Sequence, residues 1–238
     1  MVTVSVVVPA REEADSLAPT LDSLAAQRLP DGWTLEVIVV ACGDDGTLEV
    51  ARDHPAADRV LEDDVRTGAG PARNQGAAVA RGDVLAFTDA DTVVAPWWVR
   101  AHTSHYADPQ VVGVGGPLRP LEGGLVDRLL FRVLSDLWYR VSWSVGFVQQ
   151  SGNNCSVRRE AFEAVAGFDE SLAFLEDTDL SMRLRERGRV VYEPRVPVWT
   201  SVRRQHREGY GGLFLAYAVA YCSYALVGTV PDVGYFER

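Results

Sequence analysis

The chain has 238 residues, 47% hydrophobic and 24% charged, enough to bury a core of its own as one domain with at most an appendage. Its formal net charge of -10 argues against a basic nucleic-acid-binding patch, and no nucleic acid is expected as a partner. There is no lysine, so a phosphorylated ligand would have to be met by a metal or by placed arginines.

The first strand is read in "VTVSVVVPA", the second in "LEVIVVACG" and a third in "DVLAFTDAD". Continuous runs rich in Val and Ile are the mark of parallel strands covered on both faces. Between the first two, Leu17, Leu21 and Leu24 recur at helical spacing within 14–27, with Asp15 or Ser16 as the expected cap. Ahead of the third, 69–81 is Ala-rich and opens on Gly70-Pro71, a favourable helix start. Alternating strands and helices imply right-handed crossovers and an α/β layer structure with a mostly parallel central sheet. Such sheets bind ligands beyond the carboxyl ends of their strands, which singles out the loops 9–13, 41–46 and 89–91.

The second half is less regular. Residues 125–148 carry apolar side chains at helical spacing, interrupted by Arg128, Arg132 and Arg140. That pattern fits contact with anionic lipid heads, or a plain amphipathic helix over a cleft. The stretch 151–168 reads as loop, short strand and a helix ending at Gly167, and 175–187 as an amphipathic helix stopped by Gly188. Two short strands follow around 190–192 and 196–200. The uncharged tail 211–230 has just the length of a bilayer crossing. Its Gly, Ser and Tyr content points instead to a helix packed on the domain or lying in a membrane interface. His54, His102 and His105 are read as surface residues, and Trp97, Trp98, Trp138 and Trp143 as packing. The three cysteines form no CxxC pair and no secretory leader pattern stands ahead of Val2. A cytoplasmic setting, at the inner face of the cell membrane where the basic helix touches it, is the expectation.

Three motifs carry candidate chemistry. Asp89 and Asp91 end the third strand, where residues i and i+2 of an extended chain point to one side. They read either as a turn or as oxygen ligands for a divalent ion, Mg²⁺ or Mn²⁺, that also grips a diphosphate. "GAGPARNQGAAVARGD" places glycines at a helix start and Arg73 within reach of a phosphate, or is an ordinary Ala-rich helix. "FLEDTDLSMRLRERG" sets Glu176 and Asp177 at a helix start, as macrodipole partners or as a general base.

Taken in order, "VVVPAREEADSL", "VVACGDDGT", the run through "TDADT", "GNNCSVRREAFEAVAGFDE" and "EDTDLSMRLRERG" resemble the family 2 glycosyltransferases over about 3–205. The resemblance implies a GT-A fold and an inverting, metal-dependent transfer from a nucleoside-diphosphate sugar to an acceptor hydroxyl, lipid-linked or cell-envelope glycans included. It implies a nucleotide-sugar half at 1–95, an acceptor half at 96–205 and an apolar helical tail at 206–238. It further implies that Pro9, Ala10, Arg11 and Glu13 line the nucleoside pocket, with Arg73 and Asp89 on the rest of the donor and Arg203, Arg204 and His206 in a segment over the diphosphate. Asp91, with His206 as a weaker second ligand, would hold the metal; Gly152, Asn153, Asn154 and Glu176 would border the acceptor and sugar; Asp177 would be the catalytic base. One departure stands out. Where the family commonly carries carboxylates after the second strand, this chain has Ala41 and Cys42, which leaves Asp44 or Asp45 to meet the base. A second function class is a catalytically inactive relative kept as a binding or scaffold protein, and the retained Asp89, Asp91 and Asp177 weigh against it. Clustered carboxylates without a cation are costly.

Overall fold

The computed structural model describes residues 2–63, 68–144, 146–172 and 174–227. The elements run β1 (Val2–Arg11), α1 (Ala14–Ala25), β2 (Trp33–Cys42), α2 (Thr47–Asp53), β3 (Arg59–Glu62), α3 (Ala69–Val79) and β4 (Val84–Phe87). Then come β5 (Thr92–Val94), α4 (Trp98–Ser104), β6 (Val111–Gly115), β7 (Leu118–Pro120), α5 (Leu125–Phe131) and, after a π-helical stretch at Arg132–Leu137, α6 (Trp138–Ser144). The remainder is β8 (Cys155–Arg158), α7 (Arg159–Ala164), α8 (Glu176–Arg185), β9 (Arg189–Tyr192), β10 (Val198–Thr200), α9 (Arg203–Glu208) and α10 (Tyr210–Val227).

Seven strands form one sheet in the order β3-β2-β1-β4-β8-β6-β9, and three more form a small sheet, β5-β10-β7. In the large sheet β8 is antiparallel to both β4 and β6 while every other pairing is parallel. The alternation of a strand sorts the core into two layers. Val4, Val6 and Val8 face Leu17, Leu21, Leu24 and Trp98 on one side. Val7, Ile38 and Phe87 face Ala72, Phe162, Phe168 and Leu180 on the other. Helix α3 lies unusually close to the sheet because Gly76 lets it: a Cβ there would stand 2.3 Å from a methyl of Val7.

Several expectations shift. Helix α1 starts without a side-chain cap from Asp15 or Ser16; its N-cap residue is Glu13, and partners from the next loop hold its first amides. His102 is buried, not at the surface. Asn154 Oδ1 accepts from Trp98 Nε1 (2.8 Å) and His102 Nε2 (3.2 Å), which makes Nε2 the protonated nitrogen and leaves Nδ1 to accept from Ser156. Burial holds this neutral ring down at about 4. His105 is half-buried against Glu193, and Trp97 is exposed while Trp98 is core. Cys42 and Cys155 are buried and in no disulfide among the described residues, as small core side chains. Among the described residues no helix is long and apolar enough to cross a membrane; residues 228–238 of the expected tail lie outside them.

Candidate active site

The carboxyl ends of β1, β2 and β4 meet along one edge. Just past β1, Glu12 adopts a left-handed backbone (φ 55°) and its amide donates to the Cys42 carbonyl at 3.2 Å, which docks the first loop on the second. Thr47 Oγ1 accepts from the Glu13 amide and Asp45 Oδ2 from the Ala14 amide (2.8 and 3.0 Å). Burial opposes the charge on Asp45, but the Thr47 hydroxyl and the amides of Ala14 and Thr47 outweigh it and hold its carboxyl low. Asp45 is therefore tied into the loop, and Asp44 stands exposed beside it. Of the expected nucleoside residues, Arg11 is exposed, Pro9 half-buried, and Ala10 faces the core, so that only its backbone can meet a ligand.

Asp89 and Asp91 flank Ala90, whose carbonyl accepts from Thr20 Oγ1 at 2.8 Å and so pins the corner to α1. The two carboxylates are held from opposite sides. Asp91 Oδ1 accepts weakly from Thr200 Oγ1 (3.4 Å), and Arg203 stands 3.5 Å from Oδ2 while binding both oxygens of Glu13. Burial first, then the neighbouring charges of Asp89 and Glu13, push the Asp91 carboxyl up to about 6, with Arg203 pulling back.

Asp89 instead pairs with Arg73 at 2.7 Å, and the other guanidinium nitrogen of Arg73 reaches Glu176 at 2.8 Å. Arg73 is 4% exposed and lies over the Phe168 ring. Its Nε has no partner among the described residues. Gly152 makes room for it, since a Cβ there would sit 2.7 Å from the guanidinium. Burial alone would favour the neutral form of Arg73, but the two carboxylates more than compensate and raise its pKa. The structure thus turns Arg73 into an internal bridge between β4 and α8.

Leu175, at φ 63°, turns the chain sharply into α8 and sets Glu176 and Asp177 at its start. Asp177 Oδ2 accepts from the Gly152 amide (2.9 Å) and Oδ1 from the Thr178 amide (2.7 Å), so both oxygens are oriented. Burial and the adjacent Glu176 raise the Asp177 pKa well above the ordinary carboxylate range. Asn153 Nδ2 lies 3.4 Å from Thr200 Oγ1, the hydroxyl that also meets Asp91. A circuit results: Asp91, Thr200, Asn153 and Gly152 on one arm, and Asp89, Arg73 and Glu176 on the other, both ending at Asp177.

Two expected site residues lie elsewhere. Asn154 is fully buried, with Oδ1 taken by Trp98 and His102 and Nδ2 donating to the carbonyls of Pro117 and Val196, so it braces the turn from behind. His206 is not a ligand beside Asp91: its Nε2 is 2.9 Å from Asp127 Oδ1, which also accepts from Tyr210. Arg204 is exposed on α9, whereas its neighbour Arg203 supplies the charge at Asp91. Thr200 had no signal in the sequence, because it meets its partner across 109 residues.

Among the described residues no group of three or more His, Cys, Asp or Glu side chains is gathered for a metal. The corner offers two carboxylates, Asp91 and Asp89. That suits an ion such as Mg²⁺, which takes one or two carboxylates and fills its shell with water and phosphate oxygens. Beyond burial, the negative charges of Asp89 and Glu13 contribute to the raised Asp91 pKa, and Arg203 offsets part of them.

The family model of Glycosyl transferase family 2 matches residues 5–165. A pre-mycofactocin glycosyltransferase of Mycobacterium tuberculosis is 32% identical over 217 residues, covering 86% of this chain and 44% of the relative. Glycosyltransferase AglE of Haloferax volcanii is 30% identical over 192 residues, covering 78% of this chain and 62% of the relative. The chain thus spans about half the length of these curated relatives. Among solved structures, mannosyltransferase PcManGT of Pyrobaculum calidifontis, in complex with GDP-Man and Mn²⁺, superposes with a TM-score of 0.74 at 25% identity, covering 96% of this chain and 65% of that one. TarS of S. aureus shares the fold at 18% identity, with a TM-score of 0.66, 98% of this chain covered and 41% of that one.

Proposed function

The chain belongs to glycosyl transferase family 2, and from that premise we propose that it moves a sugar from a nucleoside-diphosphate donor to an acceptor hydroxyl, with a divalent cation and with inversion. The observation that carries the reading is the circuit of ion pairs, hydrogen bonds and adjacent residues that joins the Asp89–Asp91 corner to Asp177. It supports reading the corner as the place for departing negative charge and Asp177 as the proton acceptor. The donor nucleoside lies along loops 9–13 and 41–46, with Asp44 as the exposed carboxylate for the base. The GDP-Man and Mn²⁺ bound by the Pyrobaculum relative support a nucleotide sugar and a divalent ion.

Asp91 and Asp89 would hold the cation, which when bound neutralises charge growing on the leaving diphosphate. Arg203 already bridges Glu13 and Asp91 and adds a second positive group at that end. Asp177, its oxygens oriented by two amides, takes the proton of the attacking hydroxyl as the new bond forms. Attack opposite to the departing diphosphate inverts the anomeric carbon in one displacement. The Gly152–Asn153 turn borders the acceptor and the transferred sugar.

Isothermal titration of GDP and UDP with and without Mn²⁺ is the test. We expect one nucleotide to bind at least about tenfold more tightly with the ion, roughly the effect of 1.4 kcal/mol. Equal binding with and without Mn²⁺ for both nucleotides would overturn the metal assignment. An NMR reading of the anomeric configuration of the product checks the inversion.

A further inference from the structure

The apolar side chains that remain at the surface are concentrated in one place. Of thirteen large hydrophobic residues exposed among the described residues, eight lie on the segment from α5 through α6 and three on α10. Within the first segment Leu125, Leu129, Val133, Leu137 and Val141 follow one another at i, i+4 spacing, and all are exposed, Leu125 at 83%. Residues four apart stack along one ridge of a helix. The parallel ridge carries Arg128, Arg132 and Arg140, also exposed. Among the described residues, no carboxylate pairs with Arg128 or Arg132.

The two acidic residues of the segment are already paired, Asp127 in the interior and Asp136, which falls between Arg132 and Arg140 on the arginine ridge, with Arg119. Asp136 makes a two-pronged pair with Arg119 at 2.8 and 2.9 Å. Asp127 is spent on the Gly124 amide, His206 and Tyr210. The segment is thus locally cationic on a chain of net charge -10. Helix α10, which bears no charged residue over Tyr210–Val227, runs beside it: Tyr210 meets Asp127, and eleven residues further along each helix the rings of Tyr221 and Trp138 stand 6.3 Å apart. Phe214, Leu215 and Val219 add exposed apolar area on this helix.

From this we propose that the α5–α6 segment and α10 form a docking surface for an anionic lipid bilayer, with the leucine–valine ridge entering the headgroup boundary and the three arginines meeting lipid phosphates. An apolar ridge flanked by arginine, with the carboxylates internally neutralised, has the charge and shape of an interfacial helix. The docking surface also backs the catalytic loop. Phe174 and Leu175, which precede Glu176 and Asp177, pack with Ala220 of α10, and Phe174 stacks edge-on with Tyr217 at 4.7 Å. Seating α10 in a bilayer therefore places the acceptor side of the site next to the membrane. The inference stands on surface chemistry and does not depend on the proposed transfer reaction.

Cosedimentation of the full 238-residue chain with vesicles of pure phosphatidylcholine, and of equimolar phosphatidylcholine and phosphatidylglycerol, tests it. Binding is expected on the anionic vesicles and to be at least about tenfold weaker on the neutral ones, with roughly fivefold lost for each arginine replaced in Arg128→Gln and Arg132→Gln. The pair Leu125→Ser/Leu129→Ser should also lose binding. These side chains are exposed, so an unchanged thermal midpoint should accompany each loss. Equal binding to both vesicles that ignores the arginine changes overturns the proposal. So does absence from both pellets. A concentration-dependent dimer by light scattering that Leu129→Ser abolishes would assign the ridge to a second copy instead.

Discussion

Both oxygens of Asp177 accept from backbone amides, so Asp177→Asn keeps the volume and one of those two hydrogen bonds while removing the ability to accept a proton. Asp177→Asn should lower kcat by about 10²–10⁴-fold and leave the nucleotide affinity in titration unchanged; retained turnover would disqualify Asp177 as the base. The pH profile tests the same residue from another side. A base works only when ionised, and burial together with Glu176 raises the Asp177 pKa. The acid limb of kcat is therefore expected above the ordinary carboxylate range. Glu176→Gln removes one cause of the rise and should move that limb to lower pH, which a rate profile of the variant reads directly. At this scale, Asp89, Asp91 and Asp177 came forward as candidates through the order of the motifs that carry them, and the fold links all three through Arg73, Thr200 and the Gly152–Asn153 turn. The illegible residues take their roles from partners far along the chain. His102 reads as a surface residue on a short helix, yet Asn154 and Ser156 enclose it from more than 50 residues away. Arg73 looks like a phosphate ligand until Asp89 and Glu176 are seen on either side of it.

Elements were legible where apolar runs were long. The segments of β1, β2 and β4 announce themselves as buried parallel strands, and α1, α3, α8 and α10 follow from periodicity and glycine placement. The short strands β3, β5 and β7, of three or four residues each, carry too little pattern to be seen. Strand β6, "VVGVG", is disguised by glycines; Gly113 and Gly115 both lie against Gln150, where a side chain would crowd. The contact between α3 and the sheet gives a direct test of packing. Ala at position 76 would bring a methyl to 2.3 Å from Val7. Helix propensity favours Ala over Gly by about 1 kcal/mol, but overpacking a core costs typically ~1–3 kcal/mol. Since both Val7 and Val40 are fixed in the sheet, overpacking should win. Gly76→Ala is expected to destabilise by ~1–2 kcal/mol in urea unfolding; a more stable variant would mean that α3 can lift off the sheet without cost.

For the whole molecule, the fold class was legible but the strand order was not, since β8 runs antiparallel between β4 and β6 and joins distant segments into one sheet. The same convergence gathers carboxylates, and it sets how stability responds to pH. Asp91 sits at about 6 and Asp177 is also raised. From about pH 4 upward through 6, the folded chain therefore binds more protons than the unfolded one, and stability falls as pH rises across that window. Asp127, held low by Tyr210, His206 and the Gly124 amide, and Glu193, held low chiefly by Arg195, act in the opposite sense. Their stabilisation is complete above the unfolded carboxylate range and fades as pH drops toward 2. The two trends cross at about pH 4, the unfolded carboxylate range. Without ligand, the chain should be most stable there and lose ~1–2 kcal/mol by pH 7.5, after discounting Asp91 for solvent screening. Mn²⁺ together with the nucleotide that binds favours the ionised corner, so by linkage it should raise stability most at pH 7.5 and flatten the decline. Urea midpoints at pH 5 and 7.5, with and without the ion and nucleotide, read this out. A ligand-free chain that gains stability between those two pH values would show that burial and neighbouring charge do not raise Asp91 and Asp177 in the fold, and the linkage argument for a cation at the corner would fall with it.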